Sequence, residues 1–180
     1  MAIAATVFIG VLTAVQARIN GALGAAIGDG FVAASISFGT GLVLILVITL
    51  SVPSGRRGLR LLVAGAGRGI PIWMLLGGLA GAVTVATQGL TVATIGVALF
   101  TVGLVAGQTA GGLVLDRVGY GPAGVVAVTV PRLVGGLLAI VGVVLCALGQ
   151  RGEPVAWWML ALPLIAGAGI AWQQGTNGRL

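Results

Sequence analysis

The chain carries one polar signature twice, and the spacing of the two copies limits what it can fold into. Gln16-Ala17-Arg18-Ile19-Asn20-Gly21-Ala22-Leu23 returns as Gln173-Gln174-Gly175-Thr176-Asn177-Gly178-Arg179-Leu180, with Gln, Asn, Gly and Leu held at a constant offset of 157 residues. Upstream, Gly10 and Ala14 find Gly167 and Ala171 at the same offset. In both copies an apolar run comes first and the amides arrive near its end. Polar side chains on oily helices are costly, so a pair carried twice needs a reason.

Those runs cannot belong to a soluble domain. Only 7% of the 180 residues are charged and 58% are hydrophobic, with a mean hydropathy of +1.19. A soluble domain needs roughly 25% charged residues to cover its surface. The fold class is therefore all-α, a polytopic protein with the lipid bilayer as its solvent. The net charge of +6 comes from nine arginines. Four of them (Arg56, Arg57, Arg60 and Arg68) cluster in one short stretch between apolar runs, the pattern of an orientation signal and not of a nucleic-acid surface. Cys146 is the sole cysteine and lies in an apolar run, and histidine is absent. That excludes a disulfide or a metal cluster, and no cofactor is expected. Met1 leads straight into apolar residues without the basic start of a secretory signal, and the internal copy of the motif argues against a cleaved peptide.

The spacing of apolar runs predicts six helices. The first covers about Ala2 to Leu23 and the second about Phe31 to Val52, with Ser35 and Gly39 one turn apart as a packing face. An arginine-rich loop follows. The third helix runs from near Pro71 to Leu90 with Gly77, Gly78 and Gly81 on a close-packing edge. The fourth runs from about Thr94 to Leu115 with Gly103, Gly107 and Gly111 on one face. Val118 to Val130 reads as irregular, and the fifth helix starts with Pro131 in its first turn and ends near Gly149. A turn at Gln150 to Pro154 precedes the sixth helix, from about Val155. Trp73, Trp157 and Trp158 read as interfacial belt residues.

Placing the arginine loop in the cytoplasm puts the N-terminus, Asp116 and Arg132 inside, and the Asp29 and Arg151/Glu153 turns outside. With five helices between the two motif copies, the sixth helix must cross opposite to the first. The expected architecture is a five-helix repeat over residues 1–149, followed by the first helix of an inverted second repeat over residues 150–180. Inverted repeats are common among secondary transporters.

Taken together, Gln16-x-x-x-Asn20-Gly21-x-Leu23, Ser37-Phe38-x-x-Gly41, Gln108 eight residues before Asp116-x-x-Gly119, and Pro131-Arg132-x-x-Gly135 resemble the YdcZ-like branch of the drug/metabolite transporter superfamily. The resemblance covers Met1 to about Gly149. It implies a bacterial inner-membrane exporter built from one or two five-helix units. Separately, small glycine-rich helices in so short a chain suggest a homodimer or pairing with a missing second half. Smaller members of the superfamily use a carboxylate embedded in their first helix to exchange protons for substrate. Here that region holds Gln16 and Asn20, which leaves Asp116, at a helix end, as the candidate for coupling.

Thr13, Gln16 and Asn20 lie three and four apart on one helical face, and Gln173 and Asn177 repeat the spacing. Gln88 and Gln108 are further inward-facing candidates. Two readings stay open. In the first, Gln16, Asn20, Gln88, Gln108, Gln173 and Asn177 hydrogen-bond a small-molecule substrate at the repeat interface of a transporter working by alternating access. In the second, they only join helices in a membrane scaffold or partner subunit. No nucleophile–base pair, paired carboxylates or phosphate loop supports an enzyme.

Overall fold

The computed structural model describes residues 2–65, 69–149 and 156–179. Its elements are α1 (Ala2–Ile27), α2 (Gly30–Ser51), α3 (Pro53–Gly65), a 3-10 turn (Ile72–Gly77), α4 (Gly78–Arg117), α5 (Val130–Leu148) and α6 (Trp157–Asn177). No strand occurs among the described residues. Among the described residues, four segments are long and apolar enough to cross a bilayer: Val7–Ile27, Gly30–Ser51, Ile72–Arg117 and Val130–Leu148. The all-α membrane fold read from composition is the fold observed.

The third of these segments has 46 residues. Drawn as one straight helix it would measure about 69 Å, more than twice the hydrocarbon thickness of a bilayer. It does not run straight. Gly96 sits at φ 77°, ψ 159°, a region open essentially to glycine alone, and there α4 breaks into halves 78–95 and 97–117. Each half is about one membrane thickness long, matching the third and fourth helices read from sequence. The third helix begins later than expected, because Ile72–Gly77 winds as a 3-10 turn.

The directions of the helices follow from which residues meet. α1 and α2 form a hairpin across Gly28, at φ 76°, and Asp29, whose carboxylate accepts from the Phe31 and Val32 N–H groups at 2.8 and 3.1 Å and so caps α2. α2 opposes the first half of α4, with Gly30 beside Gly89 and Phe38 beside Gly81. α6 follows the second half in parallel, Pro163 against Gly103 and Ala168 against Gly111. Against the first half α6 runs antiparallel, with Gly169 beside Ala80 and Asn177 beside Gly77. Consequently α1 and α6 point in opposite senses.

The core forms around the break in α4, from Ala17, Val92, Ile95, Leu99, Phe100, Leu104 and Ala166. The predicted glycine face works as expected: a Cβ on Gly107 would overlap the Leu164 backbone, and one on Gly167 would overlap the Leu104 carbonyl. Two other packing expectations need correction. Ser35 and Gly39 face outward, and α2 instead buries Gly30, Ala33 and Ala34. Gly78 meets open space, whereas Gly77 and Gly81 are packed as predicted.

The arginine-rich stretch expected to be a loop is largely the helix α3. The i, i+1, i+4 spacing puts Arg56, Arg57 and Arg60 on one side of the helix and Leu62 on the other, with no residue buried. Segregation of that kind suits a helix lying in a membrane interface. The irregular connection before α5 is as predicted, and Pro131 takes the first turn of that helix. Trp73 and Trp158 are exposed, in keeping with belt positions. Arg68, the turn at 150–154, the Trp157 side chain and Leu180 lie outside the described residues.

Candidate functional site

A polar stripe runs along the first half of α4. Thr84, Thr87, Gln88 and Thr91 recur three and four apart, so they share one face, and their exposures are 7, 3, 1 and 0%. The threonine hydroxyls each donate to a carbonyl one turn back, Thr84 to Ala80 at 2.8 Å, Thr87 to Val83 and Thr91 to Thr87 both at 2.7 Å. Back-bonding of this kind satisfies a hydroxyl within its own helix. An amide cannot do the same.

Gln88 looks across to α1. The Asn20 Nδ2 donates to the Gln88 Oε1 at 2.6 Å, and Asn20 is 3% exposed. Glycine brings the two backbones near enough for short side chains to meet. A Cβ at Gly24 would overlap the Gly89 backbone, and one at Gly21 would lie 2.6 Å from Val92. Asn20-Gly21 is thus a functional dipeptide in the packing sense, the amide flanked by the gap that lets it reach.

The second motif copy contacts the same half-helix nearer its start. Asn177 and Gln173 lie against Gly77, and the Gln173 side chain also reaches Gly81. The Gln173 Oε1 is enclosed and has no hydrogen-bond partner among the described residues. Gly81 and Gln88 are seven residues apart, about 10 Å along a helix, so the two motifs touch one helix and not one another. At this end Thr176 is buried, donates to the Trp172 carbonyl at 2.8 Å, and accepts from the Tyr120 hydroxyl at 2.8 Å. The Arg179 guanidinium sits 5.1 Å from the Tyr120 ring centroid, and Trp73 packs at 6.5 Å from that ring.

The remaining candidates stand apart. Gln16 is exposed and borders a groove of about 260 Å³ between α1 and α2, with Ser37, Phe38, Gly41, Leu42 and Ile45. Thr13 is half-buried and back-bonds to Ile9 at 2.9 Å. The buried stripe of α1 is Ala17, Asn20, Gly21 and Gly24, so the Thr13–Gln16–Asn20 face is turned partly outward. Gln108 and Asp116 line a second groove between α4 and α5, where Asp116 pairs with Arg132 at 2.5 Å. Sequence reasoning missed Thr84, Thr87, Thr91, Tyr120 and Thr176. The threonines at least were visible as a spacing of three and four around Gln88.

Membrane-length apolar helices, a glycine-broken central helix and amides buried within the bundle define a polytopic membrane protein. The chain belongs to the family described as "Putative inner membrane exporter, YdcZ", whose model matches residues 1–145. No curated protein and no solved structure matches it.

Proposed function

We propose that the chain is a secondary transporter that exports small polar molecules by alternating access, with its N-terminus in the cytoplasm. Membership in an inner-membrane exporter family supports export. The observation that carries the site is the buried Asn20–Gln88 hydrogen bond, which ties α1 to α4 through two exchangeable amides. Gln16, Gln108, Gln173 and Asn177 are further polar stations, and Asp116 is the candidate coupling group. The opposed directions of α1 and α6 support the inverted repeat, with its boundary at residues 149/150. A second copy or a second repeat would cover α5, which buries none of its residues.

The same bond also favours the second reading, because a mutually satisfied amide pair is enough to join two helices. Efflux from cells or vesicles decides between them. Under the transport reading, Asn20→Leu with Gln88→Met abolishes efflux of a compound that stabilises the wild type, while the protein remains folded. Full efflux by that double variant would reduce the pair to a helix joint. Reporters fused after Gly24 and after Asn177 test the topology, and both reporting the same side would refute the inverted arrangement.

A further inference from the structure

The groove between the second half of α4 and α5 sets Arg132 beside Gln108 and Asp116, and Arg132 is a group to which the export reading gives no part. Its volume is about 350 Å³ and its walls are Gln108, Thr109, Gly112, Leu113, Asp116, Arg132 and Gly135. Asp116 and Arg132 are the charged residues of that lining, one of each sign, and they bond each other at 2.5 Å. Their side chains are 35 and 43% exposed, so a ligand can reach both without unfolding anything. Gly112 and Gly135 leave the floor empty: a Cβ on either would meet nothing within 4 Å. The Thr109 hydroxyl already donates to the Val105 carbonyl at 2.8 Å and so offers only an acceptor, whereas the Gln108 amide offers both donor and acceptor.

Net charge selects the ligand. A cation that took Asp116 would strand the Arg132 guanidinium, and an anion that took Arg132 would strand the Asp116 carboxylate. Either exchange trades one charge contact for another and leaves the freed partner to solvent, so a single charge gains little. A molecule bearing an ammonium and an oxyanion close together replaces both halves of the pair at once. The volume falls at the small end of ligand sites. We propose that this groove binds a small zwitterion, its ammonium on Asp116 and its carboxylate or phosphate on Arg132, with Gln108 hydrogen-bonding the body between them. Free amino acids and the headgroup of phosphatidylethanolamine share that chemistry. The proposal concerns binding and stands apart from whether the chain exports anything.

The test is calorimetric titration of the purified protein in a maltoside detergent, which carries no charge of its own. L-Leucine and L-alanine represent the free source, and dihexanoyl phosphatidylethanolamine the lipid source. Butylamine and butyrate supply one charge each. The expected result is that at least one zwitterion binds several-fold more tightly than either single-charge probe. Gly112→Leu should fill the groove and abolish that binding, whereas Gly39→Leu, at another open glycine, should leave it intact. Asp116→Asn and Arg132→Gln should each lose it. The exchanged pair Asp116→Arg with Arg132→Asp should keep it, which separates a binding loss from a folding loss. Binding by leucine or alanine alone identifies a free ligand, and binding by the short lipid alone identifies a headgroup site. Absence of zwitterion binding, equal affinity for butylamine or butyrate, or binding that survives Gly112→Leu would overturn the proposal.

Discussion

Replacing Asn20 by Ala should cost more than the hydrogen bond it removes. The Asn20–Gln88 bond is 2.6 Å long and its acceptor side chain is 1% exposed. Amide bonds between membrane helices contribute about 0.6–2 kcal/mol. Asn20→Ala also strands the Gln88 Oε1 in a site closed to water, and an unsatisfied buried acceptor costs about 1–3 kcal/mol. The single variant should therefore lose about 2 kcal/mol, and Gln88→Met a similar amount by stranding the Asn20 amide. Removing both partners strands nothing, so the double variant should be less destabilised than the two singles added together. A coupling of about 1–2 kcal/mol is expected from the cycle. Unfolding by SDS in mixed micelles, followed by loss of helical ellipticity, measures all four proteins. Strictly additive losses would show that the amides do not act on each other, and the argument for a linked pair on α1 and α4 would fail.

Three further substitutions probe the frame around that pair. Gly107→Ala places a methyl into the Leu164 backbone and should cost about 1–3 kcal/mol as an overpacked contact, while Gly10→Ala, in open space, should be near neutral in the same SDS titration. Gly96→Ala has room for its methyl but the wrong backbone, so it should destabilise by about 1–3 kcal/mol through conformation alone. A neutral Gly96→Ala would mean that α4 does not need the break. Tyr120→Phe removes the donor to Thr176 and should lower stability by about 1 kcal/mol, with earlier proteolysis of the 118–129 segment as a second readout.

The apolar spans, a division between the third and fourth of them (read at 91–93, found at Gly96) and the glycine face at 103, 107 and 111 were legible because each rests on a local rule. Apolar length against bilayer thickness gives the spans, and glycine spacing gives close approach. Gln88 was legible for the same reason, as a lone amide in an apolar run. Its partner was not. Two amides on helices far apart in sequence can pair only through a helix rotation that no local spacing encodes. Gln16 shows the limit: it shares a face with Asn20 on paper, yet α1 packs through Ala17, Gly21 and Gly24, and Gln16 is left on the flank. α3 was missed for a different reason. A charge cluster was read as a loop because its arginines were counted and their positions around a helix were not.

The polar groups on α4 are not equivalent, and the difference bears on movement. Each threonine of the stripe is satisfied by its own helix, so α1 can slide or tilt without breaking one of those bonds. The Asn20–Gln88 bond is the exception, since its donor and acceptor ride on different helices. Any opening between α1 and α4 must break it and leave two amides needing partners. Water or the polar group of a substrate can supply those partners, whereas the lipid tails facing the rest of α1 cannot. A bond that must break when the helices part, and that a polar molecule can replace, couples occupancy to conformation. Under the transport reading proposed above, the closed pair is where binding energy would be turned into helix movement.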